Sequence, residues 1–203
     1  MTILSLNKTR EPVGRVCPLF YGHNCAHFSF LVISMTRKAR KITHAALLAA
    51  LYVALTHLQN LLLPGTTSLP IQVRVSEALC ILAFFTPAAI PGLTIGCFLF
   101  NVSYAHSLPF DFLIGTAASF LTVGGMYLTR RKTVFGYPLL GMLLPALFNG
   151  LLIGWELDFI MGGGFWLNAF YVAAGEAIAM LALGTPLYYT VKSRHLDAWL
   201  LNF

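Results

Sequence analysis

Long apolar tracts separated by tight basic clusters constrain this chain more than any other feature. Aliphatic and aromatic residues dominate positions 42–189, and the cations gather at the ends of the tracts: Arg37, Lys38, Arg40 and Lys41; then Arg130, Arg131 and Lys132; then Lys192 and Arg194. Of the 203 residues, 58% are hydrophobic and 10% charged, with a mean hydropathy of +0.76. A soluble domain carries about 25% charged residues. Lipid rather than water is therefore the main solvent for most of this chain. The length suits one bundle and leaves no room for a second large domain.

The net charge of +6 does not make a nucleic-acid binder. Such a surface needs its cations on one continuous stripe, whereas basic clusters at the ends of hydrophobic spans are the positive-inside signal of a membrane protein. The expected fold is an all-α integral membrane protein with six transmembrane helices in one bundle. The spans are 42–63, ending at Pro64-Gly65; 71–85; 91–104; 110–128; 137–157; and 165–189, entered through the glycine-rich turn 161–164. The segment TPAAIPG at 86–92 must bend or break the chain. Spans two and three are short for a bilayer core that needs about 20 residues. Six crossings return both termini to one side. With the N-terminus inside, the nine clustered cations named above face the cytoplasm and Arg74 alone faces outward, which predicts a cell-membrane protein with both termini cytoplasmic.

Residues 1–34 are polar and irregular, and their one apolar run, 28–33, is too short to cross a bilayer. They read as a poorly ordered extension or an upstream mis-start, with Met35 opening a natural cytoplasmic start and 35–203 forming the membrane domain. Cys17, His23, Cys25 and His27 alternate there, but without the paired spacing of a zinc site, so no metal is expected. Cys80 and Cys97 lie inside apolar spans, where a free cysteine acts as a small hydrophobe.

The acidic residues carry the second message. Glu77, Asp111, Glu156 and Asp158 fall near the external ends of their spans, while Glu176 lies well inside the sixth. At 1.5 Å per residue Glu176 sits roughly 16 Å deep, near the midplane of a core about 30 Å thick. An ionisable group there is costly and should face a cavity or a partner. Asn149 and Glu156, seven apart, share a helix face, as do Arg74 and Glu77, three apart; the latter two read equally as a structural ion pair or as ligand contacts. Asp111 and Asp158 read as hydrated loop residues. Trp155, Trp166 and Tyr171 near the outer ends read as interfacial aromatics or as a stacking platform. No nucleophile–base constellation, P-loop or metal motif is present, so an enzyme is not expected. Carboxylates, amides and indoles converging on the external half suit a flat ligand rich in hydrogen-bond donors or positively charged.

The run IQVRVSEALCILAFFTPAAIPGLTIGCFLFN at 71–101, PALFNGLLIGWELDF at 145–159 and FWLNAFYVAAGEAIAM at 165–180 resemble the QueT family, substrate-specific subunits of energy-coupling-factor (ECF) transporters for queuosine precursors. The resemblance spans roughly residues 36–191. It implies a six-helix subunit that binds a 7-deazaguanine base from outside. It needs no cofactor of its own, because two partner ATPase subunits hydrolyse ATP and a transmembrane coupling subunit links them to it. Matched to the family's motifs, the ligand residues are Glu77, Asn149, Glu156 and Glu176, with Arg74 and Trp155 behind them. Related subunits dock to the coupling subunit through small residues on the first helix. Ala46, Ala50 and Ala54 stand here at four-residue spacing, a stripe that lets helices approach closely in lipid or packs within the bundle itself. The competing readings are an ECF subunit for another vitamin or base, and a self-sufficient secondary transporter with Glu176 as a proton relay; the latter often shows internal repeats, and none is evident.

Overall fold

The computed structural model describes residues 37–64, 66, 74–104, 110–134 and 136–194, all within one unit, Met35–Phe203. The expectations for residues 1–34, including the Cys/His quartet, lie outside the described residues. The fold is helical, in six passes. α1 is Arg37–Leu62; a 3₁₀ helix, Val75–Phe84, makes the second pass; α2 is Ala89–Ser103, α3 Asp111–Thr129 and α4 Leu139–Met161. The sixth pass is α5, Phe165–Ala179, continued through a π-helical turn, Met180–Gly184, into α6, Thr185–Ser193. Four stretches are long and apolar enough to cross a membrane: 38–62, 111–129, 139–161 and 165–193.

The two short passes also run between the ends of the bundle. At the acidic end the backbone N–H of Val75 donates to the Gln59 side chain at 2.8 Å. At the basic end the ring of Phe84 lies edge-on to Tyr188, with centroids 6.0 Å apart. A 3₁₀ helix rises about 2.0 Å per residue against 1.5 Å for an α-helix, so ten residues cover roughly 20 Å where an α-helix would cover 15. The stretched helix explains how so short a segment reaches the far side. The predicted break is there: Phe85–Ala88 turns back, and the Thr86 hydroxyl accepts from Ala88 N–H at 3.3 Å. Pro91 then falls in the first turn of α2, where its missing N–H costs nothing.

Local chemistry sets the other boundaries. Alanine and leucine fill α1, the best helix formers, and Pro64 follows its end. α4 stops at Gly162, the first of three consecutive glycines with φ of 75°, 95° and 95°, a left-handed run that residues with a Cβ resist. The π-turn stands just before Pro186, which cannot donate to the carbonyl four residues back, so the register widens there.

The packing is inverted relative to a soluble protein. Leu61, Leu128 and Trp166 are more than three-quarters exposed, while Thr56, Asn60, Asn101, Ser119, Thr122 and Asn149 are buried. Helices approach closely where side chains are small. A Cβ on Gly96 would stand 2.8 Å from the Cβ of Tyr52 on α1, and one on Gly154 would stand 2.6 Å from the Cα of Ala169 on α5. These contacts bind α1 to α2 and α4 to α5.

Candidate functional site

Inside the bundle, toward its acidic end, lie two layers of polar side chains drawn from five of the six passes. Counting from the ends of their helices at 1.5 Å per residue, Tyr52, Asn149 and Glu176 all sit roughly 15–18 Å deep. Glu77 joins them from the 3₁₀ helix. The Tyr52 hydroxyl donates to Glu77 Oε1 at 2.8 Å and the Cys80 thiol to Oε2 at 3.2 Å. Cys80 therefore does more than fill space. Glu176 is fully buried, within electrostatic reach of Glu77, and the Asn149 amide lies beside it.

The outer layer is built around Arg74. Its guanidinium meets Asp111 at 3.4 Å, both side chains almost wholly buried. Glu156, also fully buried, lies within reach of both, and the Phe110 backbone N–H approaches it. Among the described residues no donor completes a hydrogen bond of good geometry to either oxygen of Glu156 or Glu176. Buried carboxylates are normally satisfied; two that are not, one in each layer, mark where this bundle can receive hydrogen-bond donors from a ligand.

The structure thus gathers Arg74, Glu77, Asn149, Glu156 and Glu176, read from the sequence as site residues, into one cluster. Trp155 stands apart: it is 54% exposed and stacks on Phe159, ring centroids 5.9 Å apart. Trp166 and Tyr171 are likewise exposed. Two expectations need correction. Asp111 is no hydrated loop residue but 4% exposed, because it opens α3 inside the bundle and faces Arg74. Arg74, in turn, pairs with Asp111 and not with Glu77, whose oxygens are taken by Tyr52 and Cys80. Asp158 does serve a turn, accepting from Gly164 N–H at 2.9 Å. The sequence reading missed Tyr52, Thr56 and Asn60. They recur at helical spacing on α1 and are buried together, and a polar stripe inside an apolar span was the available signal.

A wide groove lies elsewhere. It measures about 610 Å³ and opens sideways between α1 and α2, walled by Ala45, Ala46, Ala49 and Ala50 on one side and by Pro87, Pro91 and Ile95 on the other. Its volume does not make it the ligand site: its lining carries no convergent polar side chains, whereas the carboxylates lie deeper in the bundle. Ala46, Ala50 and Ala54 all face outward, while Ala49 is buried against α2.

Comparison with known proteins agrees with this architecture. The profile described as QueT transporter matches residues 42–193, which takes in every described pass of the bundle apart from the first turn of α1. The queuosine precursor transporter QueT of Lactococcus lactis subsp. cremoris (strain MG1363) is 32% identical over 160 residues, covering 72% of this chain and 89% of that protein. No solved structure matches the chain. The chain belongs to the QueT transporter family, and is a multi-pass membrane transporter protein rather than an enzyme.

Proposed function

We propose that this chain is the substrate-binding subunit of an ECF importer and that its cargo is a queuosine precursor, a 7-deazaguanine base. The observation that carries the reading is the pair of buried carboxylates, Glu156 and Glu176, without completed hydrogen bonds. A guanine-like ring offers adjacent N–H donors at N1 and the exocyclic amine, and a carboxylate accepts two parallel donors at once. Glu77 and Asn149 flank the deeper position, with Arg74 above. The substrate named for the Lactococcus lactis relative is of this chemistry.

Assembly with an ECF coupling subunit is supported by the outward-facing Ala46, Ala50 and Ala54 and by the groove beside them, since exposed small residues allow a partner helix to approach. ATP would be hydrolysed by two ATPase subunits, and this chain would need no cofactor. The basic end would face the cytoplasm, with both termini.

Two measurements test the reading. Titration calorimetry on the purified chain should detect tight binding of at least one 7-deazaguanine base and none of thiamine or biotin. Uptake of that base into cells should require the coupling and ATPase subunits. Uptake that persists without them would make the chain a self-sufficient transporter, and binding of an unrelated vitamin alone would refute the substrate.

A further inference from the structure

The wide groove between α1 and α2 has no part in the carboxylate cluster, but its two ends differ in chemistry. The helices run parallel here, with Gly92 against Ala45 and Gly96 against Ala49, so their close approach forms a continuous floor. Above it the walls run from Lys41 to Ala50 on α1 and from Pro87 to Leu99 on α2. At 1.5 Å per residue the α1 wall is roughly 14 Å long, about half of a hydrocarbon core some 30 Å thick. The groove therefore starts at the basic end of the bundle and covers about the depth of one leaflet. Ala46, Ala50, Pro91, Ile95 and Leu99 are exposed along it, and Lys41 is the one polar side chain among the described residues that line it.

A groove that faces hydrocarbon fills with lipid tails, because an empty one forfeits the contacts of its lining. The tails are as apolar as the walls, so by themselves they select nothing. Selection falls to the mouth. There the stem of Lys41 lines the groove while its ammonium is long enough to reach the headgroup layer, and Lys38, three residues earlier on the same helix face, is exposed beside it. The first turn of α2 opens at the same mouth, with Pro87 and Ala88 in the wall. Its amides are already engaged, Ala89 N–H by the Thr86 carbonyl and Ile90 N–H by that of Pro87, so the helix adds the positive end of its dipole rather than hydrogen bonds. Among the described residues no carboxylate stands at this end: Glu77, Asp111, Glu156 and Asp158 lie toward the other, and Glu176 at mid-depth. We propose that the groove seats one anionic phospholipid, an acyl chain along α1 and α2 and the phosphate against Lys41. Basic pockets between transmembrane helices hold anionic headgroups by the same attraction. The seat is a property of the free chain and does not depend on the importer reading; a coupling helix docking on the outward alanines would displace the lipid.

The test is native mass spectrometry of the full-length chain in detergent, titrated with phosphatidylglycerol or with phosphatidylcholine bearing the same acyl chains. One phosphatidylglycerol should be retained at about fivefold to tenfold lower concentration than phosphatidylcholine, as expected for cations meeting the headgroup. Lys41→Gln should bring that ratio most of the way to one. Arg131→Gln, which removes a charge from the same end of the bundle but not from the groove, should leave it unchanged. Ala46→Trp, which fills the groove from an exposed position, should abolish the tight retention with every charge in place. Equal retention of the two lipids by the wild type overturns the proposal. A loss in Arg131→Gln as large as that in Lys41→Gln overturns it too, because the attraction is then diffuse, and retention unaffected by Ala46→Trp puts the lipid elsewhere. Displacement of the lipid by soluble glycerol phosphate would make the mouth a phosphate site, and a dimer mass in place of the bound lipid would give the groove to a second copy; either refutes the lipid seat. The wild-type ratio needs no variant to fold.

Discussion

Arg74 and Asp111 carry opposite charges on different passes, and their meeting ties the start of the 3₁₀ helix to the start of α3. Removing one partner of a buried pair leaves a charge without compensation, at a cost of about 3–5 kcal/mol. Asp111→Ala should therefore lower the thermal unfolding temperature of the detergent-solubilised protein markedly. The double variant Arg74→Met/Asp111→Leu should recover most of the loss, since an apolar pair of similar volume removes the penalty. A single variant as stable as wild type would show the pair to be incidental. Glu77 and Glu176 present a different case. Replacing Glu176 with Gln keeps the shape but substitutes a donor for one acceptor oxygen, so that an N–H opposes a ligand N–H; in Glu77→Gln the new N–H instead opposes the Tyr52 hydroxyl or the Cys80 thiol and disturbs the wall beside the ligand. Charge-assisted hydrogen bonds contribute about 1.5–3 kcal/mol, so at least one of Glu77→Gln and Glu176→Gln should reduce affinity for the base by about tenfold to a hundredfold in calorimetry. Two folded variants with unchanged affinity would remove both residues from the site.

At the level of elements, α1 has two faces with opposite duties. Ala45 and Ala49 lie against Gly92 and Gly96 of α2, where even a Cβ on either glycine would be crowded to between 2.7 and 3.1 Å. Ala46, Ala50 and Ala54 look outward. Ala50→Trp should therefore leave base affinity and unfolding temperature near wild type but abolish co-purification with the coupling subunit, because a bulky ring holds the helices apart. Gly96→Leu should do the reverse kind of damage, lowering stability by forcing α1 and α2 to separate. If Ala50→Trp loses ligand and keeps its partner, the outward face is not the docking surface. The α1 stripe also shows how far reading by spacing alone reaches. Four-residue spacing put Ala46, Ala50 and Ala54 on one face, but two alanine faces lie side by side on this helix, and only contact with α2 tells which is covered.

For the whole molecule, the arrangement of cations predicts the orientation. Labelling of single cysteines in intact cells, in a background lacking the native cysteines, should find Thr66→Cys accessible from outside and Arg131→Cys protected until the membrane is permeabilised. The opposite pattern would invert the bundle. The membrane environment, the helical class, the pass boundaries to within a few residues and the glutamates that the bundle buries were all legible in the sequence. Each depends on a local property: hydropathy along the chain, prolines and glycines at the breaks, or an ionisable residue where lipid tolerates none without a partner. Tertiary structure alone decided the rest. It stretched the second pass into a 3₁₀ helix, turned Asp111 inward and matched Arg74 to it across 37 positions, gave Glu77 to Tyr52 and Cys80, and left Glu156 and Glu176 open. Spacing along one helix says which residues share a face. It cannot say which face of another helix arrives opposite, because that is settled by how glycines and alanines on several helices let their backbones close together.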